Sequence, residues 1–563
     1  LAQMDNYAIA DQLSLLSKLM DIHGENAFKS KSYSSAAFAI EKLPQPIAGL
    51  PQEKIFAIRG IGESVGKKIV ELLQEGELKA LQELIEQTPE GVLEMMNVKG
   101  LGPKKIHTLW KELHISNLEE LKEACLQNKI AAKKGFGEKT QQNILEAIHF
   151  LQQNTGLYRY AQVESFADAL QQKLQLHFNT HQFSLTGEFR RQLEVVQKLE
   201  WVATATKSEI KRFFDEEQFT LVAEGDDFIE LMANDALTLK FYLTDKESFS
   251  RTLFITSCSP ELALAIEQSE GWKSEKSFDT EEALCEHLGF QFIPPFLREN
   301  PSIIQSAQRR DLPQVVQMAD IKGIIHSHSN WSDGAHTIEE MAQESMRLGY
   351  EYLVVSDHSK AAYYANGLSE ERIREQHNYI DALNQKLAPF KIYKSIECDI
   401  LSDGTLDYAD KILATFDLVI ASIHSNLQMP EEKAMMRLLG AINNKYVTIL
   451  GHMTGRLLAK RKGYPVDHKT IIDACAANNV VIEINAHPAR LDMDWRWIDY
   501  ALEKGVMLSI NPDAHSFDDM HLMKYGVLVA QKGGLTKEQN LSSKSQKNFE
   551  SFLQNLRQLK GIG

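Results

Sequence analysis

The stretch Lys322-Gly-Ile-Ile-His-Ser-His328 sets the pattern that decides the fold of the carboxy-terminal part of this 563-residue chain. It is a short apolar run that ends in His326 and His328, and alternate residues of a strand point to the same face. Six further apolar runs follow, their last residues 27 to 39 positions apart, with a helical pattern in each gap. These runs are Tyr352–His358, Ile392–Glu397, Leu418–His424, Val447–His452, Val480–Asn485 and Val506–His515.

The spacing of the seven runs predicts repeated βαβ units, which take about 30 residues each. Strands that are apolar throughout belong to parallel sheets buried on both faces, so we predict an α/β domain built as a distorted (β/α)7 barrel over residues 318–563. Such barrels carry their sites at the carboxy-terminal ends of the strands. Six of the seven runs end there in His, Glu or Asp-x-His, and this convergence predicts a metal site.

The strand ends resemble the motifs of the PHP (polymerase and histidinol phosphatase) family. The matching segments are His326–Gly334, Ser356–His358, Ile396–Asp399, His424–Ser425, His452 and Asn511–His515. The resemblance implies a cluster of three metal ions in which Glu397 bridges the first two, with a hydroxide between two ions as the catalytic nucleophile. The first ion would be held by His326, His328, Glu397 and Asp513, the second by Glu397, His424 and His452, and the third by Asp333, His358 and His515. These ligand types favour Zn²⁺ or Mn²⁺ over Mg²⁺.

Arginines in the loops that follow the strands are candidates for binding phosphate oxygens. They are Arg456, Arg461 and Arg490, and for each of them a surface salt bridge is the alternative interpretation. His487 follows the sixth run, but the family pattern has no ligand at this place, so we leave it out of the predicted site.

Residues 1–150 are predicted to be almost entirely helical, because apolar residues recur at intervals of three and four. A Gly-hydrophobic-Gly motif occurs three times within them, with lysines and a helical pattern nearby. The glycines allow a tight turn, and the free N–H groups at the next helix start form an anion site. We therefore predict helix-hairpin-helix contacts to DNA phosphates, with a purely structural helical hairpin as the alternative. The predicted DNA-binding residues are Gly60, Gly62, Lys67, Lys68, Gly100, Gly102, Lys104, Lys105, Gly135, Gly137 and Lys139.

The same segment resembles the amino-terminal lyase-type domain of family X DNA polymerases, notably at Asn26–Ala37. The resemblance places Lys68 where that family has a lysine that can attack a 5′-deoxyribose phosphate as a Schiff base. A solvated lysine on a DNA-facing helix is the favoured interpretation of Lys68.

Residues 156–300 combine short β-like runs, Phe241–Thr244 and Thr252–Thr256, with helical patterns. The proline-rich stretch Phe292–Pro301 is predicted to be a linker.

Residues 156–300 also continue the resemblance to family X polymerases. The matching segments are Leu157–Tyr160, Gly187–Val195 and Gly289–Glu299. Nucleotidyl transfer in that family needs three carboxylates that converge on two magnesium ions. At the corresponding places this chain has Lys198, Glu200 and a position near Lys240, for which Asp235 and Asp245 are alternatives. Since a lysine cannot ligate a cation, we predict a polymerase-like α+β domain that has lost polymerase activity.

Together the two resemblances cover nearly the whole chain, in the order of the bacterial PolX-type proteins. They imply a metal-dependent phosphoesterase of DNA repair that acts on gapped, nicked or 3′-ended DNA as a 3′→5′ exonuclease. Removal of 3′-phosphates and cutting at abasic sites are further activities to test. The alternatives are a phosphatase for small molecules such as histidinol phosphate, a non-catalytic DNA-end binder, and a still active gap-filling polymerase.

The net charge of −16 is unevenly distributed. Residues 1–155 hold 18 basic and 20 acidic side chains, whereas residues 156–300 hold 14 and 25, so we expect DNA contacts in the first segment rather than the second. The five cysteines are scattered without a C-x-x-C motif. No apolar run of about 18 residues occurs, and the chain start lacks the basic residues of a signal peptide. We therefore predict a cytoplasmic protein without disulfides or a membrane span, and no protein partner is indicated.

Overall fold

A computed structural model describes residues 6–562 apart from 42, 44–46, 48–49, 99, 155, 215–218, 234–235 and 275. The chain forms two compact units, residues 1–155 and 156–563. The second unit contains both the segment that resembles a polymerase and the barrel. None of the described helices combines the length and the apolar character needed to cross a membrane.

The first unit is helical, as the sequence predicted. Its helices are α1 (Asn6–His23), α2 (Ala27–Glu41), α3 (Gln52–Phe56), α4 (Glu63–Glu75), α5 (Lys79–Glu86), α6 (Glu90–Met95), α7 (Pro103–His107), α8 (Leu118–Leu126) and α9 (Glu138–Asn154). Apolar residues spaced three and four apart, such as Ile9, Leu13 and Leu16, are fully buried and form one core with the later helices. Each short helix thus buries one face, which supplies the stability that its length alone does not.

The second unit begins with a segment built around a small mixed sheet. Its elements are β1 (Tyr158–Arg159), α10 (Tyr160–His177), β2 (Phe183–Thr186), α11 (Gly187–Arg190), β3 (Val195–Val196), β4 (Lys198–Ala203), α12 (Lys207–Phe213), β5 (Phe219–Glu224), β6 (Phe228–Ala233), β7 (Leu237–Leu243), α13 (Phe249–Thr256), α14 (Pro260–Glu267), α15 (Glu281–His287) and α16 (Ile303–Gln308). The five-stranded sheet has the order β2-β4-β7-β6-β5, and β4 and β7 are its parallel pair. This pair brings Glu200 and Lys240 side by side.

One predicted strand of this segment is wrong. We predicted Thr252–Thr256 to be extended because of its β-branched residues, but it ends helix α13. Leu253 and Phe254 are the buried residues of this turn. Burial of these neighbours outweighs the β-propensity of the threonines, which is only a weak preference.

The proline-rich stretch Phe292–Pro301 is also not the linker that we predicted. Ile293 and Leu297 are buried in an apolar cluster. The Arg298 side chain has no exposed surface, and its guanidinium lies 2.8 Å from a Glu281 carboxylate oxygen. The prolines therefore shape a packed segment rather than a free connection.

The structure confirms the predicted seven-stranded parallel barrel. The strands are β8 (Gly323–Ser327), β9 (Tyr352–Val355), β10 (Lys391–Asp399), β11 (Leu418–Ser422), β12 (Ile449–Leu450), β13 (Val481–Asn485) and β14 (Leu508–Asn511), in sequential order across the sheet. Beyond the strands, the His328 amide donates to the Ala514 carbonyl at 2.8 Å. A parallel bridge between Ser327 and Ala514 brings the two edge strands together.

Helices cover the outside of the barrel and its amino-terminal end. They are α17 (Ile338–Arg347), α18 (Glu370–Leu387), α19 (Asp410–Leu413), α20 (Glu431–Ile442), α21 (His468–Asn478), α22 (Ile498–Glu503), α23 (Phe517–Met520), α24 (Met523–Lys532) and α25 (Gln546–Leu559). Phe549 of α25 packs with Tyr352 and Tyr393 of the barrel strands. The Arg557 guanidinium donates to the Phe416 carbonyl just before β11. Helix α25 therefore closes the end of the barrel opposite the predicted site.

Candidate metal centre

Two of the nine predicted ligands have strained backbone: His326 lies within the irregular end of β8, where the pairing register shifts, and Asp513 lies two residues after β14. His326 has φ +63° and Asp513 has φ +54°, the left-handed region that residues other than glycine rarely adopt. Each such residue costs about 1–3 kcal/mol and persists only when its surroundings fix it. Here the Ala514 amide donates to the His326 carbonyl, so the closure of the barrel holds both strained residues in place.

Glu397 lies at the centre of the rim and is almost completely buried. Its Oε1 atom lies 2.9 Å from His452 Nε2, 3.1 Å from His424 Nε2 and 3.4 Å from His326 Nε2. Its Oε2 atom lies 3.0 Å from His358 Nδ1. A single carboxylate therefore reaches ligand atoms from four other strand ends, as a bridging ligand must.

The remaining ligand candidates gather on the side of the rim formed by the first and last strands. His328 Nε2 lies 3.1 Å from Asp513 Oδ1, and Asp333 Oδ1 lies 3.6 Å from both His358 Nε2 and His515 Nε2. The His328 and His515 rings stack with their centroids 4.1 Å apart. All nine predicted ligands are thus brought to one rim.

Three sets of these side chains have ligand atoms within 4.8 Å of one another. They are His328, Asp333, His358 and His515; His326, His328 and Asp513; and His358, Glu397 and His424. The sets resemble the three-ion arrangement implied by the PHP family, with three differences. His328 also belongs to the set of Asp333, His358 and His515. Glu397 is absent from the set of His326, His328 and Asp513, and His358 rather than His452 accompanies Glu397 and His424.

The donor chemistry of the rim fits divalent cations. Four buried imidazole nitrogens, namely His326 Nε2, His328 Nδ1, His358 Nδ1 and His452 Nδ1, have no hydrogen bond of good geometry within the described part of the chain. A buried polar atom without a partner is costly, and neutral imidazole nitrogens beside carboxylates are typical ligands of Zn²⁺ and Mn²⁺.

Burial and neighbouring charges move the pKa values of the rim in opposite directions. Burial, with the adjacent His515 and His358 rings, lowers the pKa of His328 to about 3, so this imidazole is neutral. Burial also lowers the pKa of His424, but the Glu397 and Asp399 carboxylates outweigh it and raise the value to about 10. A cation can therefore bind His328 without displacing a proton, whereas His424 must lose a proton before it binds one.

The sequence analysis missed two buried carboxylates that orient histidines of the rim. They accept hydrogen bonds on the side of each ring that faces away from the rim. Glu483 accepts a hydrogen bond from His326 Nδ1 at 2.6 Å, and Asp399 accepts one from His424 Nδ1 at 2.5 Å. Both contacts leave Nε2 of the histidine free to face the rim. Two features of the sequence could have identified these carboxylates. Glu483 lies inside an apolar run, Val-Ile-Glu483-Ile, and Asp399 follows Glu397 by two residues.

Asp357 holds the loop that delivers Asp333. It is fully buried and accepts hydrogen bonds from the Ser329 amide and hydroxyl, the Ser332 hydroxyl and the Gln376 side chain. These four donors satisfy the carboxylate completely, so Asp357 acts as a structural anchor beside the rim.

The three arginines predicted to bind phosphate differ in their surroundings. Arg456 donates to the Arg490 and Leu491 carbonyls and to Asp494 at 2.7 Å, so its guanidinium is fully used inside the protein. Arg461 donates to the Gly455 carbonyl at 2.8 Å. Arg490 Nε lies 4.0 Å from Asp513 Oδ2 and faces the candidate metal site.

In the first unit, the first two glycine motifs have the same backbone conformation. Gly60 and Gly100 have φ +95° and +90°, and Gly62 and Gly102 are extended residues that directly precede helices α4 and α7. The third motif departs from this pattern, because Gly137 before α9 also has positive φ, +78°. A Cβ atom on Gly62, Gly100, Gly102, Gly135 or Gly137 would meet nothing within 4 Å, which leaves this backbone open to a ligand.

The lysines beside these turns are mostly exposed. Lys104 and Lys139 are exposed, and Lys105 Nζ donates to the Gly100 carbonyl at 3.1 Å, across the turn of its own motif. Lys67 pairs with Glu63 at 2.7 Å. Lys68 pairs with Glu71 at 2.5 Å and has 26% of its side chain exposed, so this lysine is held in an ion pair rather than free.

The positions that the polymerase resemblance aligns with metal-binding carboxylates hold a cluster of ion pairs. Lys198 Nζ lies 3.8 Å from carboxylate oxygens of both Glu200 and Glu230, and Lys240 Nζ lies 3.2 Å from Glu230. The Tyr242 hydroxyl donates to Glu200 at 2.9 Å. Of the alternative carboxylates, Asp245 is exposed beyond the end of β7, and Asp235 lies outside the described residues.

Comparisons with known proteins find matches to three parts of the chain and one match to nearly all of it. The family model of the helix-hairpin-helix domain matches residues 4–78, and the family model of the SAM-like helix-hairpin-helix tandem matches residues 92–149. The family model of the PHP domain matches residues 325–487. The DNA polymerase/3′-5′ exonuclease PolX of Bacillus subtilis is 34% identical over 561 residues, which cover 96% of this chain and 98% of that protein.

Several relatives that match less than half of the chain are named as probable phosphatases. A probable phosphatase of Thermoanaerobacter sp. (strain X514) is 26% identical over 261 residues, 43% of this chain and 99% of that protein. The probable phosphatase YcdX of Escherichia coli O81 is 25% identical over 170 residues, 29% of this chain and 62% of that protein.

Proposed function

Because the chain belongs to the family of bacterial PolX-type proteins, we propose that it is a metal-dependent phosphoesterase that acts on DNA ends as a 3′→5′ exonuclease. The observation that carries this proposal is the convergence of His326, His328, Glu397, Asp513 and their neighbours on one barrel rim. The helix-hairpin-helix motifs in the same chain supply a reason for the substrate to be DNA.

Three sets of rim residues would each hold one metal ion. His326, His328, Asp513 and Glu397 would hold a first ion, and Glu397 would share a second with His424 and His452. Asp333, His358 and His515 would hold a third. Zn²⁺ or Mn²⁺ bound there supplies a nucleophilic water at neutral pH and a Lewis acid for the phosphate.

The contribution of the protein is to orient these ligands and to position the substrate. Glu483 and Asp399 fix the tautomers of His326 and His424, as described above, and Asp357 fixes the loop of Asp333. Arg490, whose guanidinium faces the rim, and Arg461 would bind phosphate oxygens. Arg456 is used inside the protein and is left out of this site.

DNA binding is proposed for the open glycine turns of the first unit. Their N–H groups and the nearby Lys104, Lys105 and Lys139 would contact phosphates of gapped, nicked or 3′-ended DNA without reading its sequence. Lys68, which pairs with Glu71, is proposed as a phosphate contact and not as a lyase nucleophile.

We further propose that the segment at 156–300 has lost polymerase activity. Lys198 and Lys240 stand where magnesium ligands are needed, and they neutralise Glu200 and Glu230. An ammonium group cannot ligate a divalent cation and repels it, and the ion pairs remove the negative charge that would otherwise attract one. The five free, buried cysteines support the proposed cytoplasmic location, where thiols stay reduced.

Incubation of 3′-labelled DNA with the purified protein and Mn²⁺, with and without dNTPs, tests these assignments together. We expect stepwise shortening that a chelator stops and that dNTPs do not reverse. The phosphatase relatives favour a second candidate, hydrolysis of small phosphomonoesters such as histidinol phosphate. Rapid turnover of such an ester with intact labelled DNA would establish the second candidate and exclude the first.

A further inference from the structure

Arg159 belongs to the polymerase-like segment but lies where this segment packs against the barrel. The amide of the next residue, Tyr160, donates to the Glu194 carbonyl at 3.1 Å. The Glu194 carboxylate in turn accepts hydrogen bonds from Trp495 Nε1 at 2.8 Å and Arg496 at 2.7 Å. Glu194 is buried, so this contact ties the start of α10 to the turn that follows β13 of the barrel.

A second contact fixes the direction of α10. Glu164, one turn after Tyr160, accepts hydrogen bonds from Lys524 Nζ at 2.7 Å and from the Tyr525 hydroxyl at 2.8 Å, both at the start of α24. Because Glu194 and Glu164 contact different elements of the barrel, the start of α10 has a fixed orientation relative to the barrel. Arg159, the residue just before α10, is therefore held beside the loop that leads from β13 to Trp495.

That loop carries His487 and Arg490 toward the metal rim. The His487 amide donates to Asn485 Oδ1 at 3.1 Å, and the Asn485 side chain donates to Asp513 Oδ2 at 3.1 Å. His487 Nδ1 accepts from the Ala489 amide at 3.2 Å. The neutral imidazole must then carry its hydrogen on Nε2, which makes the outer nitrogen a hydrogen-bond donor.

Neither arginine of this region has an ion pair shorter than 4.0 Å within the described residues. Arg159 makes no ion pair with a carboxylate in the described part of the chain, although it is partly buried. The nearest carboxylate oxygen to Arg490 is 4.0 Å away and belongs to Asp513, a candidate metal ligand. Burial lowers the pKa of His487, the Asp513 and Asp519 carboxylates oppose this shift, and the Arg490 and Arg159 guanidiniums add to it. The ring therefore lies within electrostatic reach of both arginines as well as of both acids.

We propose that Arg159, His487 and Arg490 form a binding site for a backbone phosphate of the substrate, next to the phosphate that is bound at the metal cluster. The proposal rests on the proposed function and deepens it. Two guanidiniums and one N–H donor match a phosphodiester anion, and they offset the negative charge of the rim toward DNA. The polymerase-like segment thereby contributes a binding residue to the hydrolase site.

The test compares a ligand that has one phosphate with a ligand that has two. The probes are thymidine 5′-monophosphate and a 5′-phosphorylated thymidine dinucleotide whose linkage is a phosphorothioate that resists hydrolysis. Their dissociation constants are measured on the Mn²⁺-loaded full chain by equilibrium dialysis. Arg159→Ala should weaken dinucleotide binding about tenfold, the effect of one charge-assisted hydrogen bond, and leave mononucleotide binding unchanged.

Two further variants separate a binding role from a structural one. Arg159→Lys should recover part of the lost affinity, because lysine restores the positive charge but lacks the planar guanidinium and its paired N–H donors. Arg212→Ala removes an exposed arginine of the same segment, away from this site, and should bind both probes as the wild type does. Metal content and melting temperature should be the same in all of these proteins.

Equal dinucleotide affinity in wild type and Arg159→Ala would overturn the proposal. Equal weakening of both probes would also overturn it, since the arginine would then act on the fold or the metal site. Failure of the wild type to shorten labelled DNA is a different result, which removes the proposed function and leaves the binding measurement, made without hydrolysis, to decide on the phosphate site.

Discussion

The barrel rim and the centre of the five-stranded sheet both place charged side chains beside parallel strands. The two regions differ in whether these charges pair with one another. At the rim, carboxylates and histidines crowd together and several buried nitrogens keep no good hydrogen bond in the described structure. In the sheet, Lys198 and Lys240 face Glu200 and Glu230, and every charge has an opposite neighbour. We therefore expect cations to bind at the rim, whereas the four charges in the sheet already pair with one another.

Under our proposal, the difference means that a fold can be retained without its original site. The sheet places Glu200 beside Lys240, and we propose that two lysines there replace a cation site by ion pairs. Function depends on the residues at a site, and the fold only supplies their positions.

The largest expected effect separates the two regions directly. His328→Ala or Asp513→Ala should abolish hydrolysis of labelled DNA, by about three orders of magnitude or more, because each removes a metal ligand worth several kcal/mol in the transition state. Circular dichroism should show an intact fold for both variants. As the matched change in the sheet, Lys198→Ala should digest DNA at the wild-type rate. Wild-type digestion by both rim variants would refute the assignment of the rim.

A smaller loss is expected when the support behind a ligand is removed. Glu483→Gln should lower metal affinity about 10- to 100-fold, as observed for carboxylates that orient metal-bound histidines. The change keeps the shape of the side chain but weakens the hydrogen bond to His326 Nδ1. Metal affinity is measured by competition with a chromogenic chelator, and Glu503→Gln, an exposed change on α22, is the control. Unchanged affinity would mean that Glu483 has only a packing role.

Metal binding should also depend on pH in a defined direction. The pKa of His424 is raised to about 10, so below that pH a proton competes with the cation for its Nε2 atom. Affinity should therefore rise with pH, by up to about tenfold per unit between pH 6 and 8 for one displaced proton. Calorimetry in buffers of different ionisation enthalpy measures the released protons. Asp399→Asn removes one of the two carboxylates that raise the pKa and should flatten this dependence.

The convergence of the rim could be predicted from the sequence, but its local geometry could not. Apolar runs that end in His, Glu or Asp-x-His identified both the barrel and the side that carries the ligands. The alternation rule placed His326 and His328 on one face of a strand, whereas His326 in fact has a left-handed backbone. That conformation depends on contacts with Ala514, which is nearly 200 positions away, and no local pattern contains it.

The same limit explains the errors elsewhere. Thr252–Thr256 has the composition of a strand but is helical because Leu253 and Phe254 are buried against the rest of the segment. The contact of Glu194 with Trp495 and Arg496 joins residues about 300 positions apart. Contacts at this separation are set by the packing of domains, which periodicity and spacing do not report.

A moderate effect is expected in the first unit, outside both regions. Lys104→Glu combined with Lys105→Glu should weaken DNA binding roughly tenfold and reduce the slope of its salt dependence by about two, equally for all sequences. Hydrolysis of a small chromogenic phosphoester should not change, because the rim is intact. An unaltered dissociation constant at low salt would mean that the glycine turns are only structural.

The last prediction is that DNA synthesis is absent, and it tests directly whether the five-stranded sheet retains a polymerase site. A gapped substrate with dNTPs should give no extended primer with Mg²⁺ or Mn²⁺, since two divalent ions bring four positive charges to a cluster that Lys198 and Lys240 already neutralise. The His328→Ala protein is the right one to assay, because exonuclease activity would otherwise remove new nucleotides. Primer extension by that variant would show that other carboxylates complete a polymerase site. The two regions would then differ in their ligands and not in whether they bind metal.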